Sequence, residues 1–175
     1  MCRWSPSSVT SPMETETARL RLRYPTLADA PELLQIFSDV EAQRYTLHFG
    51  TLGECRRHIA AHERNRRRVG CGPWTVEEKA TGRVIGWGGL YEDPFDRRWG
   101  IEVAYSFARS AWGKGYAGEL VAHSIAVARE DLGLSEIVAF SHKENAGSRR
   151  VLERAGFVFE RYLADMDRNF YRLKL

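Results

Sequence analysis

The first third of the chain combines a strand-like and a helix-like spacing of apolar residues. Polar and apolar residues alternate in RLRLRYP, residues 19–25, as in a strand with one buried face. The next segment, TLADAPELLQIFSD, has apolar residues at helical spacing and predicts a helix that starts near Asp29. A second helix follows in TLGECRRHIAAHERNRRR, where Thr51 is a good N-cap residue. This part therefore predicts one strand and two helices.

The apolar spacing then changes to that of strands. The segment GPWTVEEKATGRVIGWGGLYE contains two strand-like runs around Ala80-Thr81-Gly82, which is typical of a β-hairpin. WGIEVAYSF, residues 99–107, is a third such run. The short connections favour antiparallel pairing, because a parallel crossover needs about a dozen residues or more.

The second half of the chain alternates helices with strands. Helical spacing from Ala117 to Leu132 predicts a long helix that ends at Gly133. The strand EIVAFSH follows, then a shorter helix in NAGSRRVLERAGF that closes at Gly156, and finally the strands FVFERYL and NFYRLKL. The order β-α-α-β-β-β-α-β-α-β-β predicts an α+β fold, with a mixed, largely antiparallel central sheet flanked by helices.

Length and composition limit the classes of protein that this chain can be. Its 175 residues suffice for one domain with a core, which we expect over residues 14–175, and the Ser-, Pro- and Thr-rich residues 1–13 predict a disordered tail. No apolar run approaches the ~18 residues of a membrane span. The first residues show no secretory signal. Three cysteines, an odd number, favour a reducing cytoplasm over a disulfide framework.

Charge and metal-ligand spacing add little to this picture. The net charge of +3 is modest and does not call for a nucleic acid partner. The densest basic segment, Arg56 to Arg68, could bind RNA or an acidic protein, but the solvated face of a helix explains it more simply. Cys55, His58 and His62 could line one helix face, yet no fourth ligand is evident, so we expect no metal.

The stretch WGKGYAG, Trp112 to Gly118, carries the strongest candidate chemistry. Its last six residues fit G-x-G-x-x-G, but residues 108–112 separate them from the preceding strand, and the next strand does not end in an acid. This context disfavours a nicotinamide oxidoreductase. A glycine turn into a helix start still offers N–H groups and a positive dipole end to a phosphate, and Lys114 adds a cation. The alternative is a tight turn that needs glycine for its geometry alone.

Several segments together resemble the GNAT superfamily of acetyl-CoA-dependent N-acetyltransferases, in its RimJ/RimL-like branch. WGKGYAGEL resembles the loop that binds the acetyl-CoA pyrophosphate, and IEVAYSF resembles the strand before it. ENAGSRRVLERAGF resembles the N-x-x-S-x-x-x-L-x-x-x-G-F segment, and TARLRLRYPTLADAPELL resembles the opening strand and helix of the branch. The resemblance covers Thr17 to Leu175 in order. It implies a GNAT-like single domain with acyltransferase activity.

The resemblance also implies roles for particular residues. Acetyl-CoA is the implied co-substrate, held by the strand that ends at Phe107, by Asn145 and by the turn residues Trp112, Gly113, Lys114, Gly115, Tyr116, Ala117 and Gly118. Leu152 stands where many members carry the Tyr that protonates the departing thiolate, and Ser148 is the implied substitute. Glu102 is the implied base. The implied reaction is direct attack, in a ternary complex, by a primary amine of a small molecule or of a protein N-terminus. A homodimer is the assembly that we expect.

These candidates also have structural interpretations. Glu102 could pair with Arg97 or Arg98, Ser148 could bond to local backbone at a helix start, and Asn145 could be an N-cap. Several aromatic residues belong either to the core or to an acceptor pocket: Trp87, Trp99, Tyr105, Phe170 and Tyr171. The alternative function is a non-catalytic acyl-CoA-binding sensor. It stays open because the base, Glu102, and the acid, Ser148, each have a structural interpretation.

Overall fold

A computed structural model describes residues 14–175, so the predicted tail over residues 1–13 lies outside the described residues. The described chain contains four helices, α1 (Ala30–Phe37), α2 (Leu52–Val69), α3 (Tyr116–Glu130) and α4 (Ala146–Arg154). Its eight strands are β1 (Glu14–Glu16), β2 (Leu20–Arg23), β3 (Trp74–Glu78), β4 (Arg83–Glu92), β5 (Ile101–Phe107), β6 (Glu136–His142), β7 (Val158–Leu163) and β8 (Arg168–Lys174). The predicted order is confirmed, with β1 as one further short strand.

One sheet contains all eight strands, in the order β1-β2-β3-β4-β5-β6-β8-β7. Every neighbouring pair is antiparallel except β5 and β6, which run parallel. The register between β5 and β6 holds the single pair Glu102–Val138. By contrast, β4 pairs with β5 over seven positions, and β6 pairs with β8 over seven. The sheet therefore divides at β5 and β6, which is the feature that positions the candidate site.

Helices cover both faces of this sheet. A smaller core cluster joins α1 and α2 to β4 through Phe37, Cys55 and Trp87. A larger cluster joins α3 and α4 to the strands through residues such as Leu120 and Leu152, both fully buried. Within the described residues, no helix is long and apolar enough to cross a membrane.

Local signals explain where the helices begin and end. Thr51 is the N-cap of α2, as predicted, and exchanges hydrogen bonds with Glu54 in a capping box. The helix α3 ends at Glu130, ahead of the predicted stop at Gly133. Gly133 nevertheless has a φ of +60°, so it turns the chain within the connection to β6.

Candidate active site

The site begins where β5 and β6 separate. Both strands run in the same direction and share the Glu102–Val138 pair near their starts, so their later residues form two facing strand edges. A cavity of about 300 Å³ lies at this divergence, and residues of β5, β6 and α4 line it. Strand edges of this kind present backbone N–H and C=O groups that a bound molecule can use. The divergence thus opens a cleft through the centre of the sheet.

Glu102 is the buried acid of this cleft. Its side chain lines the cavity and the residue is 8% exposed. Burial and, to a smaller extent, the nearby carboxylates of Asp93 and Asp96 together raise the pKa of Glu102 to about 8. The interpretation of Glu102 as the partner of Arg97 or Arg98 is wrong, because the described structure pairs these arginines with Glu92 and Asp96 instead.

Ser148 and Asn145 lie together at the start of α4. The side-chain Oδ1 of Asn145 accepts a hydrogen bond from the Ser148 backbone N–H at 3.0 Å, so Asn145 is the N-cap of this helix, as its structural interpretation predicted. Both residues line the cavity. Leu152 is fully buried one turn further along the same helix.

Tyr105, which the sequence analysis assigned to either the core or an acceptor pocket, lines the cavity. Its hydroxyl lies 3.0 Å from the Ser148 Oγ. Burial raises the pKa of Tyr105 to about 12, so the phenol keeps its proton at neutral pH. Tyr105 therefore adds a protonated hydroxyl directly behind that of Ser148.

Strand alternation sets these groups on opposite faces of β5. Ser106 bonds to Gln43, in the connection after α1, whereas Tyr105 bonds to Ser148 of α4. Because side chains alternate along a strand, Glu102 shares the Ser106 face. The cleft thus has an acid on the α1 and α2 side and a pair of hydroxyls on the α4 side.

The glycine turn leads from β5 into α3. Gly113 and Gly115 have φ values of +72° and +82°, which favour glycine, and Gly115 is the N-cap of α3. Glu119 N–H makes the first helical bond, to the Gly115 carbonyl, so the N–H groups of residues 116–118 have no acceptor inside the helix. A Cβ added at Gly118 would meet nothing within 4 Å in the described structure. The turn therefore has both the donors and the open space that a phosphate needs.

Neighbouring side chains support this turn. The indole Nε1 of Trp112 donates to the Phe107 carbonyl at 3.1 Å, while the Phe107 ring is buried in the core. Arg19, at the start of β2, donates to the Lys114 carbonyl at 2.8 Å and forms an ion pair with Glu119. Arg19 thus places a second cation beside Lys114. Sequence patterns could not reveal this contact, because it joins residues almost a hundred positions apart.

The histidines of α2 do not line the cavity but pack against Trp87, which does. His58 and His62 are buried, and their ring centroids are 4.4 Å apart. Burial lowers the pKa of His58 to about 4 and that of His62 to about 3, so both rings are neutral. Within residues 14–175, no group of three or more His, Cys, Asp or Glu side chains could hold a metal ion.

Comparison with known proteins identifies the family. A sequence model of the Acetyltransferase (GNAT) domain matches residues 19–158. The chain is 32% identical over 165 residues to the "Uncharacterized N-acetyltransferase p20" of Bacillus licheniformis, which covers 92% of each chain. The solved structures that resemble this chain have lower sequence identity, so their similarity concerns the fold alone. Ribosomal-protein-S5-alanine acetyltransferase from Vibrio fischeri matches with a TM-score of 0.75 at 17% identity, covering 92% of this chain and 96% of that one.

A second solved structure, Mycobacterium smegmatis RimJ in complex with CoA-disulfide, matches with a TM-score of 0.74 at 19% identity. The match covers 89% of this chain and 81% of that one. The residues matched by the family model, 19–158, include the glycine turn and both strands of the cleft. The chain belongs to the GNAT acetyltransferase domain family.

Proposed function

We propose that this enzyme transfers an acetyl group from acetyl-CoA to a primary amine by direct attack in a ternary complex. The observation that carries the proposal is the cleft between β5 and β6. The buried carboxyl of Glu102, which forms no ion pair within residues 14–175, lies on one side, and the hydroxyls of Ser148 and Tyr105 lie on the other. A thioester in this cleft would have a candidate base and a candidate acid on opposite sides.

The residues present fit acetyl-CoA as the co-substrate. We assign the pyrophosphate to the glycine turn, Gly113 to Gly118, where N–H groups of the first helical turn and the side chain of Lys114 face an anion. The pantetheine arm would bond to the β5 edge that ends at Phe107, as an added strand does. Asn145, at the start of α4, would contact the arm near the thioester.

The proposed reaction needs two proton movements. The amine nitrogen forms a bond to the thioester carbonyl carbon while Glu102, as carboxylate, takes a proton from the nitrogen. The carbon–sulfur bond then breaks, and the departing thiolate takes a proton from the Ser148 hydroxyl, which Tyr105 resupplies across their 3.0 Å contact. Exchange with solvent then returns a proton to Tyr105 and removes the one on Glu102. A pKa of about 8 for Glu102 is close to neutral pH, where a general base works best.

The acceptor belongs to the class of primary amines, in a small molecule or at a protein N-terminus. An α-amino group titrates near ~7.7–8.0, so a useful fraction is neutral at pH 7.5 and modest assistance suffices. The Vibrio fischeri neighbour is named for a ribosomal protein, which makes an alanine-initiated peptide a natural acceptor to assay. A non-catalytic sensor would have no use for the buried Glu102 and the hydroxyl pair.

Thermal denaturation and thiol release test the proposed function together. Saturation at ~100 times Kd stabilises a protein by ~2.7 kcal/mol, and for a chain of this size the melting temperature then rises by roughly 5–11 °C. We expect this rise with acetyl-CoA and CoA but not with NADH. We also expect amine-dependent release of free CoA. A shift with NADH alone, or binding of acetyl-CoA with no amine-dependent release, would contradict the proposal.

A homodimer stays a prediction, and the edge strand β7 is the surface that we expect it to use. Val158 and Phe159 are 66% and 51% exposed, and β7 closes one end of the sheet with an unpaired edge. Exposed apolar residues on a sheet edge favour pairing with another chain.

A further inference from the structure

We infer that the acceptor is a small primary amine with an apolar, ring-sized body and no carboxylate, which enters as an ammonium ion and loses one proton to solvent before it attacks. The inference rests on the proposed function and narrows its acceptor class. It comes from the part of the cavity on the Glu102 face of β5. Aromatic rings and acidic side chains line this part, and its volume is small.

Aromatic rings form the walls of this part of the cavity. Phe37 of α1 and Trp87 of β4 meet edge to face, with ring centroids 5.7 Å apart. Trp99, just before β5, and Phe140 of β6 meet in the same way at 5.3 Å. Rings from four separate elements thus line the same cavity as Glu102. Such walls favour an apolar body, and their faces attract a cation.

Acidic side chains in the lining favour an acceptor with a positive charge over one with a negative charge. Asp93 and Asp96, in the connection from β4 to β5, line the cavity together with Glu102. Because the Asp96 carboxylate is ion-paired with Arg98, the attraction for a cation comes from Asp93 and from Glu102 when it is ionised. The basic side chain in the lining, Arg168, donates instead to the Tyr45 carbonyl at 3.0 Å and to the Asp167 carbonyl at 3.1 Å. An ammonium ion is therefore attracted, whereas a carboxylate on the acceptor would be repelled and would find no matching cation.

His142 is not available as a cation or base for the acceptor. Its Nδ1 accepts a hydrogen bond from the Glu144 backbone N–H, so the proton of the neutral ring is on Nε2. Nε2 in turn bonds to the Asp167 carboxylate at 3.0 Å. Both nitrogens have protein partners, which leaves Glu102 as the proton acceptor on this face.

The small volume of the cavity limits the size of the acceptor. The ring of Tyr45, in the connection between α1 and α2, stacks on His142 with centroids 4.8 Å apart. Arg168, the first residue of β8, holds the Tyr45 carbonyl in place. The cavity beneath is about 300 Å³, at the small end of the ~300–1,000 Å³ typical of ligand pockets, and it must also admit the acetyl group. A peptide chain is too large to be held wholly within this volume.

Matched amines test the inference on the full-length wild-type chain. We would measure kcat/KM by thiol release with phenethylamine, phenylalanine, ethanolamine and an alanine-initiated peptide. Phenylalanine adds only a carboxylate to phenethylamine, and ethanolamine lacks the ring. Burial of one phenyl ring predicts a preference for phenethylamine over ethanolamine of about 30- to 100-fold. We also expect kcat/KM to be higher for phenethylamine than for phenylalanine or the peptide.

Variants show whether the cavity causes that preference. Trp99→Leu is expected to lower kcat/KM for phenethylamine about tenfold relative to ethanolamine, whereas Phe95→Leu, a change at a 74% exposed residue of the same connection, leaves the ratio unchanged. Asp93→Asn is expected to reduce the discrimination against phenylalanine. Melting temperatures of all variants establish that they are folded. Each kcat/KM ratio compares two acceptors on the same variant, so a general loss of activity cancels.

The outcomes separate the inference from the proposed function. Equal or higher kcat/KM with ethanolamine, phenylalanine or the peptide would overturn the inference and leave acetyl transfer to amines intact. A phenethylamine preference that is undiminished in Trp99→Leu would overturn it as well. If acetyl-CoA binds but none of these amines accelerates thiol release, the proposed function itself fails, and the inference falls with it.

Discussion

The single carboxyl of Glu102 links the stability of the protein to its candidate chemistry. A buried acid with a raised pKa binds a proton more tightly in the folded chain than in the unfolded chain. Between the ordinary value of 4.5 and the folded value of about 8, the folded state therefore holds more protons, and stability falls as pH rises. Below 4.5 both states are protonated and the penalty is absent.

Glu102→Gln removes this penalty. We expect the variant to melt at a higher temperature than the wild type at pH 9, and the two to melt at similar temperatures near pH 4.5, because glutamine stays neutral throughout. Each pKa unit corresponds to ~1.4 kcal/mol, so the difference at pH 9 amounts to a few kcal/mol at most. Melting curves from pH 4.5 to 9 measure it. A difference that is independent of pH would show that Glu102 does not titrate near 8.

The same variant tests Glu102 as the base. We expect the ratio of wild-type to Glu102→Gln kcat/KM for the amine to rise as pH rises through about 8, where the free enzyme gains its carboxylate. The titration of the acceptor itself cancels in this ratio. General-base assistance is worth ~10²–10⁴-fold. A structural role for Glu102 predicts a ratio that stays flat across the pH range.

Tyr105→Phe isolates one hydroxyl of the acid pair. The ring is kept, so we expect little loss of stability, and we expect kcat to fall more than KM for acetyl-CoA rises. If Tyr105 acts through Ser148, the double variant Tyr105→Phe/Ser148→Ala is no slower than Ser148→Ala alone. Tyr162→Phe, which removes a hydroxyl bonded to Asp167, serves as the control. Additive losses in the double variant would count against the relay.

At the level of residues, the sequence identified several residues of the candidate site but not how they are arranged in space. Asn145 could be placed as a helix cap because its type and position carry that signal, and Ser148 and Glu102 followed from the family resemblance. Tyr105 could not be assigned, because a tyrosine on a strand packs in a core as readily as it lines a cavity. Its partner lies 43 positions away, and only the fold brings the two hydroxyls together.

Among the elements, the glycine turn before α3 has two kinds of glycine. Gly113 and Gly115 have positive φ values, so any side chain there strains the turn itself. Gly118 lies within α3 and has open space where a Cβ would be. A substitution at Gly118 therefore separates the needs of a ligand from those of the backbone.

Gly118→Ala is expected to raise helix stability slightly while weakening CoA binding. Alanine favours a helix over glycine by ~0.8–1.0 kcal/mol, and Gly53→Ala in α2 gives the same gain without approaching the turn. Titration calorimetry with CoA and melting curves on both variants measure the two effects. Equal CoA affinity in Gly118→Ala and Gly53→Ala would show that the phosphate does not approach Gly118.

The elements themselves were predictable because their signals are local. Alternation, helical spacing and caps identified four helices and seven of the eight strands in the right order. The short strand β1 has the sequence Glu-Thr-Glu, with no apolar position to reveal it, and it exists through pairing with β2. The end of α3 was predicted too late, since Gly133 turns the connection rather than the helix.

In the whole molecule, the division of the sheet was beyond sequence reasoning. An antiparallel sheet follows from short connections, whereas β5 and β6 are joined through α3 and meet in parallel. How far two such strands stay paired depends on the packing of helices on both faces. No local pattern in IEVAYSF or EIVAFSH reports it.

The seam between β5 and β6 also has a consequence for how the protein opens. Five strands lie on one side and three on the other, and one ladder pair joins them. Such halves can exchange amide hydrogens as separate cooperative units. Acetyl-CoA bonded along the seam would tie the units into one, so we expect amides of the facing β5 and β6 edges to gain protection together when it binds. Hydrogen exchange read by mass spectrometry would show this, and protection confined to the glycine turn would contradict it.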